Sequence, residues 1–448
     1  MRTLLTHGYF LHEDPKEQAI LKPYAPLGLL YLSSHLRARA IDVDLYDSTF
    51  GSRPELFRLL ESGSPGILGV YGNLMTRRNV LAITAHARAC GWKVILGGPE
   101  PLNYPSEYLA AGADAIVNGE GELTLEHLLR ASMDPASLPS IPGISFLGPT
   151  GAVVQTPPAP FIAGLDSQPW PDRESIDMRK YLDTWRTHHG AGSVSLITAR
   201  GCPYHCAWCS HSVYGKSHRR RSPRAVVDEI AWIQKQYSPE MLWLADDVFT
   251  IHPGWLRAYA AEMRRRGLRI PFECITRADR LSPSIAETLA SLGCFRVWIG
   301  SESGSQRILD AMQRGVTIAQ VRSAVCLLKQ HGIQTGMFLM WGYDGEQIED
   351  IEATVEHVKQ CRPDVFFTTV SYPIKGTPYF DRVRPNLVSL RPWAESTDRD
   401  FFIRGRHSRS FYSQADELLR SETAPTPDPA RVAEARRALH QLNDEVEA

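Results

Sequence analysis

The chain has 448 residues, which is enough for two or three domains with sizeable cores. Its formal net charge of -1, with 43% hydrophobic and 22% charged residues, gives no electrostatic signal for a nucleic acid or an anionic surface as partner. There is no apolar run as long as a membrane span and no signal-peptide pattern at the first residues, so we expect a cytoplasmic protein with reduced cysteines.

The first part of the chain alternates short apolar segments with helical ones. Predicted strands cover residues 3–6, 43–46, 67–71, 94–97 and 115–117, and predicted helices cover residues 27–40, 53–61, 77–90, 106–111 and 121–131. This alternation predicts a parallel, doubly wound sheet, which binds ligands at the carboxyl ends of its strands. The plainest interpretation is a receiver-like or protein-interaction domain.

Three loops follow these predicted strands, at residues 71–76, 97–101 and 118–122. Gly97 and Gly98 allow the backbone to approach a ligand closely. The sequence has no Walker pattern, and G-x-G-x-x-G is absent at the first strand, so the domain carries no nucleotide fingerprint.

Three cysteines stand close together in the middle of the chain. Cys202, Cys206 and Cys209 have C-x3-C-x2-C spacing and follow directly on a predicted strand at residues 195–198. Thiolates at this density select zinc or iron–sulfur centres. A closed zinc site needs four ligands, whereas a 4Fe–4S cluster held by three cysteines keeps one iron open for catalysis. The alternatives are a zinc knuckle completed by a histidine in or beside the motif, or three free thiols.

The strand and helix alternation repeats about six times in the second half of the chain. Predicted strands there cover residues 195–198, 241–245, 272–275, 296–299, 334–340 and 365–370, which suits one parallel sheet curved or closed into a partial barrel. A Pro- and Gly-rich segment with a small hairpin lies between the two halves. We therefore divide the chain into residues 1–134, 135–192, 193–383 and 384–448.

The cysteine stretch, with Trp208 just before the last cysteine, resembles the signature of radical S-adenosylmethionine (SAM) enzymes. The first domain, with L-G-G-P after its fourth strand and G-E-G-E after its fifth, looks like the cobalamin-binding domain that precedes many of them. The resemblance implies an α/β chain: an N-terminal flavodoxin-like (Rossmann-like) cobalamin-binding domain, a (β/α)6 partial TIM barrel, and a small, mostly helical C-terminal region.

The resemblance also implies residues that hold the cluster and SAM. The three cysteines would bind the 4Fe–4S cluster. Residues 300–305 match the family pattern G-x-E-x-G-S, and residues 338–346 resemble the stretch that lies against adenine. The implied SAM contacts are Trp208, Asp246, Arg277, Ser301, Glu302 and Gly342.

Structural roles compete for several of these positions. Adjacent carboxylates on a strand point opposite ways, so at most one of Asp246 and Asp247 faces the barrel, and Asp247 also suits a helix N-cap. Glu302 also suits a cap or a salt bridge to Arg307. The basic run at residues 218–221 is interpreted as a solvated face, in which Arg221 orders the loop.

In the first domain the resemblance implies cobalamin contacts from all three loops: Asn73, Leu74, Met75, Thr76, Gly97, Gly98, Pro99, Glu100, Gly119 and Glu120. Cobalamin-dependent mutases supply the lower axial ligand from D-x-H-x-x-G, and this pattern does not occur in the chain. We therefore expect the loop at residues 73–76 to cover the lower face of the cobalt without a bound histidine.

The implied cofactors are a 4Fe–4S cluster, SAM and cobalamin, with an external electron donor of the flavodoxin or ferredoxin type. The commonest relatives methylate an unactivated carbon through methylcobalamin and a 5′-deoxyadenosyl radical. The alternatives are radical cyclisation, ring contraction or oxidation without methyl transfer, and a non-catalytic carrier. We expect a small or lipid-like substrate and no nucleic acid. A C-terminal extension with a predicted helix over residues 430–445 would close over it.

Overall fold

The computed structural model describes residues 2–397 and 400–443. The strands of the first sheet are β1 (Thr3–His7), β2 (Asp44–Leu45), β3 (Ile67–Tyr71), β4 (Lys93–Gly97), β5 (Ala115–Val117), β6 (Ile144–Leu147) and β7 (Val153–Gln155). Their order is β2-β1-β3-β4-β5-β6-β7, and β1 to β5 are parallel. The parallel order is flavodoxin-like, with its switch point between β1 and β3.

Helices cover both faces of this sheet. The strands β1 and β5 are therefore buried along their whole length, and apolar clusters lie on either side of the sheet. They are α1 (Pro15–Ile20), α2 (Leu27–Arg37), α3 (Arg53–Glu61), α4 (Arg77–Ala89), α5 (Pro99–Asn103), α6 (Pro105–Ala110) and α7 (Glu122–Arg130). A capping box between Ser52 and Glu55 begins α3.

The predicted strands of this half are confirmed, but two features were not predicted. The hairpin of β6 and β7, predicted within the linker, pairs antiparallel with β5, and Val117 lies opposite Ile144. The first sheet therefore includes residues up to 155, within the segment predicted as the linker. Helix α1 was missed because it buries no side chain and so shows no amphipathic pattern.

The second half contains β8 (Ser193–Leu196), β9 (Ala199–Arg200), β10 (Arg219–Arg220), β11 (Met241–Leu244), β12 (Phe272–Thr276), β13 (Cys294–Glu302), β14 (Gln334–Trp341) and β15 (Val365–Val370). The predicted parallel sheet is confirmed, in the order β15-β14-β13-β12-β11-β8. β9 and β10 form a separate antiparallel pair.

The helices of this half are α8 (Met178–His189), α9 (Pro223–Tyr237), α10 (Pro253–Arg265), α11 (Pro283–Leu292), α12 (Gln306–Ala311), α13 (Ile318–Gln330) and α14 (Ile348–Cys361). Alternate strand residues such as Val297 and Ile299 pack under these helices in the main core. The intervening strand residues, such as Trp298 on β13 and Phe338 on β14, point to the opposite side of the sheet, which we call the inner face.

The C-terminal region contains α15 (Pro378–Val383), β16 (Leu387–Ser389), β17 (Phe401–Ile403), α16 (Arg409–Glu422) and α17 (Pro429–Gln441). Helix α17 matches the helix predicted over residues 430–445, whose last two residues lie outside the described residues. Helix α16 packs against α14 and α17.

A buried arginine ties this region back to the first domain. Arg77 of α4 donates to the carbonyl oxygens of Trp393 at 3.0 Å and Ser396 at 3.2 Å. Its guanidinium lies 5.2 Å from the Tyr104 ring and 5.0 Å from the Trp393 ring. The C-terminal region therefore contacts both halves of the molecule. In the part of the chain that the structure describes, no helix has both the length and the apolar character that crossing a bilayer requires.

Candidate functional site

The three cysteines lie on one loop that leaves the second sheet next to the carboxyl end of β8. β9 and β10 pair at its base, with Ala199 opposite Arg220 and Arg200 opposite Arg219. We call residues 201–218 the cysteine loop. Gly201 begins it at a φ of +84°, and a Cβ there would lie 2.3 Å from the Ser217 carbonyl oxygen, so glycine is required at this position.

The cysteines are reduced, and two arginines approach the most buried one, Cys206. Its Sγ is 3.7 Å from Nη1 of Arg314 and 3.8 Å from Nη1 of Arg277. A hydrogen bond from Cys209 lowers the pKa of Cys206 to about 6, and the two guanidinium groups act in the same direction. This environment favours a thiolate, the form that binds metal.

This donor set suits a 4Fe–4S cluster. In such a cluster each thiolate binds a different iron, and three thiolates leave one iron with an open position. The nearby cations suit the negative charge of such thiolates.

Arg277 was predicted as a SAM contact, but its polar contacts lie around the cysteine loop. Its Nη2 donates to the Arg314 carbonyl at 2.9 Å, its Nε donates to Asp279 at 2.8 Å, and its guanidinium lies 3.8 Å from the Tyr204 ring. Arg314 was missed. It follows α12 in a segment without a motif, and only the fold brings it to Cys206.

Glu302 ends β13 at the inner face in an unusual backbone conformation. Its φ is +62°, beside a register shift between β13 and β14, and such strain in a non-glycine residue is typical of functional sites. Burial raises the pKa of Glu302 to about 7, although Arg314, whose Nε is 3.8 Å from Oε1, opposes this shift. Arg307, the predicted salt-bridge partner, pairs with Asp350 instead.

Ser301 and Trp208 have other partners than Glu302 in the structure. Ser301 Oγ lies 3.1 Å from Nε2 of His357 on α14, on the helix-covered side of the sheet. Trp208 packs against a separate apolar cluster that includes Met312 and Tyr379. Their predicted contacts with SAM remain predictions.

Gly342 follows β14 and is held in a tight loop. Its φ is +70°, its N–H donates to Oε2 of Glu346 at 2.5 Å, and its Cβ position lies 2.9 Å from the Tyr412 ring of α16. Tyr412 of the C-terminal region therefore occupies the space that the missing side chain of Gly342 leaves open. Burial raises the pKa of Glu346 to about 8.

A cavity of about 530 Å³ separates the two halves of the site. One wall is the first sheet at its carboxyl edge with the start of α2, including Gly69, Tyr71 and Val117. The other wall is the cysteine loop, including Cys202 and residues 210–215. The wall formed by the first domain is mostly apolar, and the wall formed by the second domain includes Cys202, one of the three cysteines.

The predicted cobalamin residues divide between this cavity and other places. Five of them line it: Gly97, Gly98, Pro99, Gly119 and Glu120. Gly98 has a φ of +103°, and a Cβ there would lie 2.3 Å from the Gly72 carbonyl oxygen. The others, Asn73, Leu74, Met75, Thr76 and Glu100, do not contribute to the cavity wall as the described residues form it. Asn73 caps a short helical turn, and Glu100 is buried against Arg77.

Asp247, not Asp246, lines the cavity. Asp246 Oδ1 accepts from the backbone N–H of Thr198 at 2.6 Å, and its Oδ2 accepts from Arg220 at 2.7 Å. Its carboxylate is therefore occupied in holding the segment after β8 to β10. Asp247 is not a helix cap, because α10 begins after His252.

The interpretation of residues 218–221 as a solvated face is wrong. Arg220 pairs with buried Asp246, and Arg221 pairs with Glu229, which Arg173 also contacts at 2.7 Å. These pairs anchor the chain at the end of the cysteine loop, as proposed for Arg221 alone. Sequence could not show the burial, because the carboxylates come from other elements.

Residues 20–129 match the family model described as the B12 binding domain, and residues 196–358 match the model described as the radical SAM superfamily. The fold and the site therefore define a radical SAM protein with a corrinoid-binding domain in front. An uncharacterized methyltransferase of Pyrococcus horikoshii is 29% identical to the chain over 421 residues, covering 91% of this chain and 89% of the relative.

The anaerobic magnesium-protoporphyrin IX monomethyl ester cyclase of Rubrivivax gelatinosus is 32% identical over 378 residues, covering 82% of this chain and 67% of the relative. The radical S-adenosylmethionine methyltransferase TsrM from Kitasatospora setae, solved with cobalamin and a 4Fe–4S cluster bound, has the same fold. Its TM-score is 0.73 at 21% identity, over 88% of this chain and 81% of that chain. The chain belongs to the cobalamin-dependent radical SAM family, whose cofactors are a 4Fe–4S cluster, SAM and cobalamin.

Proposed function

We propose that this protein is a radical SAM methyltransferase that methylates an unactivated carbon of a small molecule. The observation that carries the proposal is the cavity between the first sheet and the cysteine loop. When bound, the cluster supplies the electron that cleaves SAM, and cobalamin carries the methyl group. The chain's own task is to hold both centres at one cavity.

Specific residues serve this task. Cys202, Cys206 and Cys209 hold the cluster, and the Arg277 and Arg314 guanidinium groups stabilise the Cys206 thiolate. Glu302 is the proposed polar contact of SAM. Among the described residues its buried carboxylate has one ion pair, the 3.8 Å contact with Arg314, and an ammonium group would complete its pairing.

The corrinoid contacts are proposed to come from the glycine-containing loops that line the cavity. Gly98 and Gly119, at φ values of +103° and +101°, give these loops a backbone conformation that other residues rarely adopt, and both residues line the cavity. Asp247 replaces Asp246 as the carboxylate proposed to face the bound cofactors.

The inner face supports a flat, apolar substrate. The Trp298 ring is stacked on Phe338 at a centroid distance of 5.0 Å and on Phe367 at 5.1 Å, with interplanar angles of 16° and 6°. Phe367 lies on the edge strand β15 and is 45% exposed. Trp298 itself is 4% exposed, so the Phe367 ring offers the exposed face on which a planar ligand could stack. The cyclase relative acts, by its name, on a porphyrin, which is also planar.

Radical chemistry without methyl transfer is the second candidate, and the 32% identity to the cyclase favours it. The two candidates differ in what becomes of SAM. Methyl transfer yields S-adenosylhomocysteine together with 5′-deoxyadenosine and adds one CH2 unit to the substrate. The alternative yields 5′-deoxyadenosine and methionine alone.

The test starts with the full chain purified without oxygen. About four irons and one corrinoid per chain are expected. The loaded protein is then incubated with SAM, planar apolar candidates and either flavodoxin or titanium citrate as reductant, since an external electron donor is part of the proposal. Product with one added CH2 and S-adenosylhomocysteine support methyl transfer. Iron without corrinoid, even after hydroxocobalamin is added, would refute it.

A further inference from the structure

Two carboxylates of the first domain bind the base of the cysteine loop. Glu120 Oε1 lies 3.1 Å from Nη1 of Arg200, and Glu122 Oε1 lies 2.5 Å from its Nη2. Glu120 Oε2 accepts from Nη1 of Arg219 at 2.8 Å and from the Ile162 N–H at 2.8 Å. We call Arg200, Arg219, Glu120 and Glu122 the interdomain ion-pair network.

The network is withdrawn from water, so it is not an incidental surface contact. The side chains of Arg200 and Glu120 are each 4% exposed, and that of Arg219 is 14% exposed. Buried pairs of this kind are screened little by salt and depend strongly on geometry. Arg200 and Arg219 are opposite each other in the β9–β10 pair, so the carboxylates hold both ends of the cysteine loop.

Arg200 is also part of the cavity wall. Its guanidinium lies 5.0 Å from the ring of Tyr31 on α2 and 5.6 Å from the ring of Tyr214 in the cysteine loop. Tyr31, Tyr214 and both carboxylates also line the cavity. Arg200 stands two residues before Cys202, the first cluster ligand. A ligand in the cavity would contact the residues that hold Arg200, and a cluster would fix the cysteine loop that begins next to it. Both therefore affect the position of the Arg200 side chain.

We propose that Arg200 is a positioning residue that couples the two cofactor sites. A cluster on the cysteines fixes the cysteine loop, which is one wall of the cavity, and Arg200 fixes that wall against Glu120 and Glu122. The preformed wall raises the affinity for cobalamin, because less ordering remains to be done on binding. By linkage, cobalamin strengthens cluster retention by the same factor. The inference rests on the proposed use of both cofactors.

The test measures the dissociation constant of hydroxocobalamin by absorbance titration on the full chain. Each protein is titrated with its cluster reconstituted and again after the cluster is removed with a chelator and oxidant. We expect wild type to bind hydroxocobalamin at least about 5-fold more tightly with the cluster, the lower end of usual coupling factors. In Arg200→Gln the ratio is expected to fall to about one while iron content after reconstitution is unchanged.

A merely structural role would weaken both titrations equally and leave their ratio at the wild-type value, which would overturn the proposal. A ratio of one in wild type would also overturn it.

Arg200→Lys keeps the charge but loses the fork that spans two carboxylates, so an intermediate ratio is expected. This variant replaces Arg200→Gln in the test if the Gln variant does not fold. Arg88→Gln, in an exposed pair with Asp114, is the matched control and should keep the wild-type ratio. If wild type with a full cluster binds no hydroxocobalamin, the proposed function fails with it, whereas binding without coupling refutes only this inference.

Discussion

Glu346, which holds the Gly342 loop, is expected to lower the stability of the protein at neutral pH. Burial raises its pKa from the ordinary value of 4.5 to about 8. The folded protein then binds this proton more tightly than the unfolded chain, so stability falls as pH rises from 4.5 to 8 and is level above that. At pH 7 the loss is about 3 kcal/mol, from about 1.4 kcal/mol for each pH unit above the ordinary pKa.

Glu346→Gln should recover this loss. The amide keeps an oxygen for the Gly342 N–H and carries no charge, so we expect a gain of about 3 kcal/mol at pH 7 that shrinks towards zero near pH 4.5. Glu346→Ala, in contrast, leaves a buried N–H without its acceptor and should cost about 1–3 kcal/mol relative to Gln.

The assay is urea unfolding of the cofactor-free full chain, followed by tryptophan fluorescence between pH 5 and 8. The difference between wild type and Glu346→Gln should grow with pH. Parallel stability curves for the two proteins across this range would refute the reasoning, because they would show that Glu346 is not protonated preferentially in the folded state.

Three further predictions concern the cofactor sites and their support. Replacing Cys202, Cys206 or Cys209 by Ala should abolish the iron–sulfur absorbance, whereas Cys326→Ala, at an exposed thiol, should retain it; retention in all three would exclude the cysteine loop as the cluster site. Gly98→Ala should greatly weaken hydroxocobalamin binding, because its Cβ would clash with the Gly72 carbonyl oxygen, while Gly254→Ala, which meets nothing within 4 Å, should bind normally. Glu229→Gln should cost about 3–5 kcal/mol in urea unfolding, because it leaves the buried arginines Arg173 and Arg221 without their counter-charge. Glu434→Gln, at an exposed position of α17, should leave the unfolding midpoint unchanged.

The sequence was most informative where a local pattern sets the structure. Buried parallel strands are short apolar runs, so β3, β5 and β15 were predicted with the observed bounds. The cysteine spacing is likewise local, and glycines such as Gly98 mark a backbone that other residues cannot adopt. These features identified both cofactor domains before any contact was known.

The parts that sequence missed depend on contacts between distant segments. Glu120 is 80 residues from Arg200 and 99 from Arg219, so neither pairing has a local signal. Asp246 and Asp247 are adjacent, and only the position of Arg220 shows which of them is occupied in the protein interior. The loop at residues 73–76 follows the predicted strand β3, but its residues are not among those that line the cavity.

The bonds from Arg77 to Trp393 and Ser396 have a consequence for how cofactors and substrates enter. The chain crosses between the two halves through residues 156–192, and residues 393–396 attach to the first domain a second time. Two attachments on separate segments resist a hinge motion, because opening the molecule like a book would break the second one. Exchange of a large cofactor should then proceed by local displacement of the cysteine loop or the first-domain loops. Such exchange is expected to be slow compared with turnover, so the corrinoid would behave as a resident group while substrates come and go along the open edge at β15.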